Sequence, residues 1–305
     1  MSNTTRILVT GATGKVGRAF IKRVLADPKF DSVVIRALCH HRELEAHDRL
    51  EIVRGSIEHL EIVEAALADV SHVVHLATCK ETPDQIMDVA VKGLFWLLEV
   101  CRASRTFRQF MLIGGDAGVG HFFYPHPIPV TETQRHSAYP GCYALSKVLE
   151  EVMLEQYYLQ YDLNGCCLRA PWIMEKDDFK YQLSFGADVF GGPRWRDLVD
   201  AEQAAEYVRT QTIPVMLDAE GQPVKRNFVH VEILSARCCW HSITRAPGTR
   251  RSTSAWMSRW ITPKWAGIWP RVAGCRRSAS RRPITRPGWT MQKRSCSWAG
   301  DRSMI

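Results

Sequence analysis

The 305-residue sequence predicts an α/β fold built on a doubly wound parallel sheet, and three observations near its start carry that expectation. Arg6-Ile-Leu-Val-Thr10 is a short β-branched, apolar run of buried-strand type. It passes at once into Gly11-Ala-Thr-Gly14-Lys-Val-Gly17. Beyond that turn Val16, Phe20, Ile21, Val24 and Leu25 share one helical face, with Lys22 and Arg23 on the other. Strand, glycine turn and helix in that order form the first unit of such a sheet.

The glycine turn has a physical reading. Gly11 permits a tight turn, Gly14 lets the backbone approach a pyrophosphate, and Gly17 allows the helix to pack closely. Thr13, Lys15 and Val16 complete the loop, and the helix N-terminus supplies N–H donors and the positive end of a dipole. A dinucleotide is the expected ligand. The spacing G-x-x-G-x-x-G resembles that of the extended short-chain dehydrogenase/reductases, the NAD-dependent epimerase/dehydratase family. The resemblance implies a Rossmann-type doubly wound parallel sheet with a small C-terminal substrate region, which is disrupted in this chain.

Further segments follow in the order the resemblance implies. Ser32 to Leu38 reads as the next strand and ends in Cys39-His40-His41-Arg42, where NAD-selective relatives carry an acidic residue. Arg42, with His40, meets a 2′-phosphate in one reading, favouring NADP within an NAD(P) assignment; in the other it belongs to a solvated basic turn. His72-Val-Val-His75-Leu76-Ala77 resembles the family's fourth strand, which places Leu76 and Ala77 beside the cofactor and leaves His75 structural. Val91-Lys-Gly93 stands where relatives read N-V-x-G-T, with Ala90 and Leu94 as departures.

Tyr139-Pro-Gly-Cys-Tyr143-Ala-Leu-Ser-Lys147 contains Y-x-x-x-K, and Val148, Leu149, Val152, Met153 and Tyr157 predict a helix with a buried face. An i, i+4 pair sets an ammonium near a phenol, which lowers the tyrosine pKa from ~10 toward neutrality. The resemblance gives Tyr143 the acid/base role and Lys147 a hold on the nicotinamide ribose. It also implies a serine or threonine after the fifth strand, but Phe110 to Ala117 reads F-M-L-I-G-G-D-A. One alignment sets Asp116 at the hydroxyl position, and another sets Gly115 there. An ionised carboxylate cannot donate a hydrogen bond, so Asp116 is protonated, acts on a substrate hydroxyl, or is structural. Pro171, in Leu168-Arg-Ala-Pro171-Trp-Ile173, resembles the proline that lies against the nicotinamide. Tyr181 to Arg196 would begin the substrate-facing region, and Arg226 to Glu232 resembles R-x-F-x-H-V-x-D.

Composition changes after Glu232. The formal charge is +8, yet residues 233–305 hold 15 Lys+Arg and one acidic residue, Asp301, so residues 1–232 carry −6. The same tail holds seven of the ten tryptophans. It reads as a disordered basic tail, as an aromatic nucleic-acid arm, or as the product of a lost reading frame. Back-translated and reread from the third base of each codon, Pro287 to Met304 permits T-W-L-D-N-A-K-A-K-L-F-L-G-W-R-P-E-Y. That resembles the family's closing K-x-x-L-G-W-x-P, and the glycine of L-G-W is forced by the code. The expectation is a single-base frameshift near Glu232.

The expected organisation is a dinucleotide-binding domain over 1–165, the last strands and the start of the substrate region over 166–232, and an out-of-frame tail over 233–305. The ten cysteines show no C-x-x-C pair, so reduced thiols and no metal site are expected. No leader or long apolar span is read, giving a cytoplasmic protein with no membrane partner and no nucleic-acid partner. A small-molecule substrate and, by analogy, a homodimer are expected. The resemblance implies an NAD(P)-dependent oxidoreductase or epimerase acting on a hydroxyl or ketone carbon of a sugar or nucleotide sugar. Its rivals are an NADPH-dependent carbonyl or steroid-type reductase, a non-catalytic dinucleotide-binding protein, and an inactive frameshifted product.

Overall fold

A computed structural model describes residues 5–120, 130–179, 183–186, 194–215 and 227–243, together with the short strands at 258–260 and 277–278. Tyr181, Arg226 and most of the tail lie outside the described residues. The chain divides into two compact units, residues 1–179 with 226–270 and residues 180–225 with 271–305.

In the first unit, strand β1 (Thr5–Thr10) feeds helix α1 (Lys15–Ala26) through the glycine turn. Strands β2 (Val33–Cys39) and β3 (Leu50–Arg54), helix α2 (Leu60–Leu67) and strand β4 (His72–His75) follow. Pro83–Ile86 (α3) runs through a π-helical stretch, Met87–Lys92, into α4 (Gly93–Ala103). Gly93 is required there because a β-carbon would come within 2.6 Å of Ile57. Strand β5 (Gln109–Gly115), helix α5 (Cys142–Tyr161), and strands β6 (Gly165–Ala170) and β7 (Trp172–Met174) come next.

All the described sheet pairings are parallel. The main sheet has the order β10-β6-β5-β4-β1-β2-β3, where β10 is Ser258–Trp260. The order reverses between β1 and β4, which opens a crevice at the carboxyl ends of those strands. Alternation along β1 explains the layers, because successive side chains point to opposite faces. Ile7 and Val9 join Phe20 and Val24 of α1 on one face, while Leu8 joins Val63, Leu97 and Leu98 of α2 and α4 on the other. Both faces are covered, so the middles of the inner strands β1 and β5 are apolar, whereas the edge strand β3 carries Glu51 and Arg54. Cys166 and Cys167 are buried in β6, and the cysteines among the described residues are free thiols.

Strand β9 (Phe228–His230) pairs with β7 and leads into a helix, Val231–Ile243, that continues through Glu232. Leu234 and Cys238 of this helix are buried in the α1-side core, and Arg23 of α1 donates to Ser235 at 3.1 Å and pairs with Glu232 at 2.8 Å. In the second unit, helix α6 (Ala201–Arg209) is capped by Asp200, whose carboxylate accepts from the Gln203 N–H at 2.7 Å. Its Tyr207 ring lies 4.7 Å from that of Phe185.

Candidate functional site

Gly11 begins the crevice. Its φ is +64°, and a β-carbon there would meet Ala77 N at 2.7 Å and the Leu76 carbonyl carbon at 2.7 Å. The glycine turn therefore lies directly against the end of β4. Gly17 seats α1 on the same turn, since a β-carbon would stand 2.5 Å from the Gly11 carbonyl oxygen. Gly14 caps α1 without any side-chain hydrogen bond. Thr13, Lys15 and Val16 are half-buried around it. Lys15 donates to Asp178 and lies 3.8 Å from Glu175, so the segment after β7 reaches the turn.

Thr10 ties the ends of β1 and β4 together. Its hydroxyl oxygen accepts from the Leu76 and Ala77 N–H groups, both at 3.2 Å, and lies 2.8 Å from His75 Nδ1. The hydroxyl hydrogen then points to Nδ1 and the imidazole proton sits on Nε2. Burial, with Lys147 adding to it, pushes the His75 pKa down to about 3, so the ring is neutral. Its other ring nitrogen, Nε2, is buried without a hydrogen-bond partner among the described residues.

Tyr143 and Lys147 are presented by α5, whose first turn is fixed from outside the helix. The Glu81 carboxylate accepts from the Cys142 N–H at 2.9 Å and the Tyr143 N–H at 3.4 Å. An anion at that end of a helix also complements its dipole. Lys147 Nζ lies 5.7 Å from the centre of the Tyr143 ring. The ammonium lowers the phenol's proton affinity as expected, but burial outweighs it, and Glu150, Asp116 and Glu81 add to burial. The Tyr143 pKa is therefore raised, not lowered toward neutrality, because burial disfavours the phenolate more than one ammonium favours it, and three carboxylates act in the same sense as burial.

The buried face of α5 also differs from expectation. It carries Ala144, Ser146, Lys147, Glu150, Glu151, Leu154 and Tyr157, whereas Val152 is exposed. Three charged side chains inside a helix interface displace the apolar stripe toward solvent. Arg169 of β6 meets Glu151 at 2.6 Å and donates to the Glu132 carbonyl at 2.8 Å, and His136 lies 3.4 Å from Glu151.

At the end of β5, a β-carbon on Gly115 would lie 4.0 Å from Tyr143 Oη with no closer contact than 3.8 Å. Asp116 starts a short 3-10 turn, Asp116–Gly118, and its charge is felt at Tyr143. Pro171 is buried between β6 and β7. His40 and Arg42 are exposed past the end of β2, where Arg54 donates to the Arg42 carbonyl at 2.9 Å. Among the described residues, no helix is long and apolar enough to cross a membrane and no cluster of metal-ligand type occurs.

Residues 7–174 match the NAD dependent epimerase/dehydratase family. The chain belongs to that family. A dTDP-glucose 4,6-dehydratase of Mycolicibacterium smegmatis is 24% identical over 175 residues, covering 53% of this chain and 52% of that protein. Another, from Mycobacterium tuberculosis, is 30% identical over 108 residues, or 32% of this chain and 33% of that one. The chain thus spans about half or less of the curated relatives it matches. Among solved structures, a short-chain dehydrogenase/reductase superfamily protein from Agrobacterium tumefaciens with bound NAD aligns at a TM-score of 0.63 and 21% identity, over 79% of this chain and 74% of that one. UDP-glucuronic acid 4-epimerase from Bacillus cereus, in complex with UDP-glucuronic acid and NAD, aligns at 0.59 and 16% identity, over 79% and 74%. These likenesses agree with the parallel sheet and its strand order.

Within this family member, sequence reading passed over Thr10, Glu81 and Glu150. Thr10 is visible only as the last residue of an apolar strand, and Glu81 acts 61 residues away from the N–H it accepts from. Glu150 carried a signal, since a carboxylate three residues after a helical lysine shares its face.

Proposed function

We propose that this chain is an NAD(P)-dependent oxidoreductase or epimerase that acts on a hydroxyl or ketone carbon, with a sugar or nucleotide sugar as substrate. The observation that carries the reading is the Tyr143/Lys147 pair set beside Gly115, at the crevice where Gly11 meets the end of β4. The residues fit a dinucleotide. Gly11 and Gly17 let the turn close tightly, because a β-carbon at either would collide with backbone, and Gly14 precedes an α1 N-terminus without a side-chain cap. When bound, the nicotinamide would supply hydride chemistry. Tyr143 Oη would hold or give the proton at the substrate oxygen, and Lys147 would orient the ribose and set the phenol's field. Asp116 would bind a substrate hydroxyl, because its charged form accepts hydrogen bonds and does not donate them. Pro171, Leu76 and Ala77 would exclude water around the ring. The names of the relatives, which act on or bind dTDP- and UDP-sugars, support the substrate class.

Arg42 and His40 support a preference for NADP over NAD, tested by the ratio of the two affinities in the wild type and in Arg42→Ala. Leu145, Val152 and Leu159, exposed on α5, support a homodimer, which the molar mass in solution from light scattering would measure. The deciding experiment is Tyr143→Phe on a panel of nucleotide sugars and ketones. Turnover is expected to fall by roughly 10²-fold or more with dinucleotide affinity unchanged. Retained turnover would overturn the assignment, and net consumption of NADPH would favour the carbonyl reductase reading. Dinucleotide binding without any turnover would leave a sensor.

A further inference from the structure

Tyr143 is the second residue of α5, and a helix frays first at its ends, where the leading N–H groups have no partner within the helix. The Leu145 N–H reaches back to the Gly141 carbonyl at 3.3 Å. Ahead of that bond, Glu81 Oε2 accepts from the Cys142 N–H at 2.9 Å, the Tyr143 N–H at 3.4 Å and the Cys142 thiol at 3.2 Å. Gly141, just before the helix, has φ +144°, and a β-carbon there would stand 2.4 Å from Glu81 Oε1. Both oxygens of one carboxylate therefore lie against the three residues that start α5.

An ordinary cap is supplied by the residue that begins the helix, or by one a turn further on, and serves those N–H groups locally. Glu81 comes from 61 residues away. Its loop is held on both sides. Upstream, the Thr10 hydroxyl oxygen accepts from the Leu76 and Ala77 N–H groups, and a β-carbon on Gly11 would strike Ala77 N at 2.7 Å. Downstream, the Thr82 N–H donates to the Lys80 carbonyl at 2.7 Å, which closes a turn around Glu81, and Ile86 of α3 is buried. The carboxylate thus ties the start of α5 to the segment that lies against the glycine turn. A side chain so placed sets where the helix begins relative to the sheet, and with it where Tyr143 stands beside Gly115.

We propose that Glu81 is a positioning residue for Tyr143: it fixes the backbone of Cys142 and Tyr143 and so holds the phenol in register with the glycine turn. This rests on the Tyr143/Lys147 reading above, and it deepens that reading by naming the residue that joins the two halves of the site. The hold is a pair of hydrogen bonds to backbone, so an uncharged acceptor serves the same purpose. Glu81→Gln keeps an acceptor oxygen and loses the charge, which separates position from field.

The test has two arms, both on the full chain. The first reads amide hydrogen exchange residue by residue without dinucleotide or substrate. Cys142 and Tyr143 are expected to be protected in the wild type and to lose that protection by roughly tenfold or more in Glu81→Ala, while Leu145 is unchanged and Glu81→Gln keeps most of it. The second measures turnover on the panel of nucleotide sugars and ketones. Glu81→Ala should lower kcat by roughly tenfold or more, with KM and dinucleotide affinity within about twofold of the wild type, and Glu81→Gln should recover most of the kcat. A merely structural defect would not give that split or that rescue. Full kcat in Glu81→Ala overturns the proposal, and so does a Glu81→Gln protein as slow as Glu81→Ala, which would make the charge and not the position the contribution of Glu81. If Glu81→Ala does not fold, the wild type still decides, since unprotected Cys142 and Tyr143 amides would overturn the proposal outright. A Tyr143→Phe protein that still turns over defeats the functional reading instead, and the exchange arm then judges the hold of Glu81 on the helix by itself.

Discussion

Gly17 and Gly115 both border the crevice, yet a side chain at each has a different consequence. At Gly17 a β-carbon would meet three backbone atoms of Gly11 and Ala12 within 2.7 Å, and backbone cannot rotate away as a side chain can. Gly17→Ala is expected to destabilise by about 1–3 kcal/mol, read by urea denaturation, and to weaken dinucleotide binding with it. At Gly115 the nearest atom would be 3.8 Å away and φ is −149°, so a side chain fits without strain. Gly115→Ser should therefore stay within about 0.5 kcal/mol of the wild type while bringing a hydroxyl beside Tyr143 Oη. A loss of several kcal/mol would show the space to be filled. His75 offers a pH test at the same scale. Its folded pKa of about 3 lies below the ordinary histidine value of 6.5, so below pH 6.5 the unfolded chain takes a proton that the folded chain refuses. Stability from this group is complete above pH 6.5 and falls by about 1.4 kcal/mol per unit as pH drops toward 3. His75→Asn, which can still accept from Thr10, should show a shallower loss of stability across that window by chemical denaturation.

Helix α5 shows how one element collects its constraints from several others. Its N-terminus is capped by Glu81 from the loop after β4, and its middle is bound to β6 and the 130–139 segment through Glu151, Arg169 and His136. Burial favours the neutral form of Glu151, yet hydrogen bonds from His136 and Arg169 outweigh it and hold the carboxyl below its ordinary range. Arg169→Leu removes the main partner and leaves a buried charge. It should cost about 3–5 kcal/mol in thermal or urea unfolding, whereas Arg169→Leu with Glu151→Leu should recover much of the loss. An equal loss in the double variant would show that the pair contributes by its shape alone. The helix itself was legible in the Y-x-x-x-K segment, but its buried face was not. Apolar periodicity assigns Val152 to the interior, and the structure buries Glu150 and Glu151 instead, because partners from other elements neutralise them.

At the scale of the whole molecule, the family match ends at residue 174 and the described chain continues through β9 and the helix Val231–Ile243. That helix buries Leu234 and Cys238 but exposes Ile233 and, at 65%, Trp240. The frame reading made from the tail's codons remains our proposal: one base lost near Glu232. Sequencing the DNA through codon 233 should reveal the lesion, and an intact frame there would defeat it. A frame-restored chain should melt several degrees higher than the chain as it stands, because its closing segments regain an apolar, acid-balanced pattern. The same comparison decides whether the present chain turns over substrate at all.

The order of motifs was enough to read the parallel sheet, the glycine turn and the Tyr143/Lys147 pair, because each depends on residues within a few positions of one another. A turn needs its glycines locally, and a helix sets i and i+4 on one side whatever surrounds it. The tertiary structure alone decided the proton affinities and the company these residues keep. Thr10 joins two strands 65 residues apart, Glu81 caps α5 from 61 residues away, and burial, with three carboxylates adding to it, reverses the expected shift at Tyr143. Fields and burial act through space, and the folded arrangement of distant segments sets both.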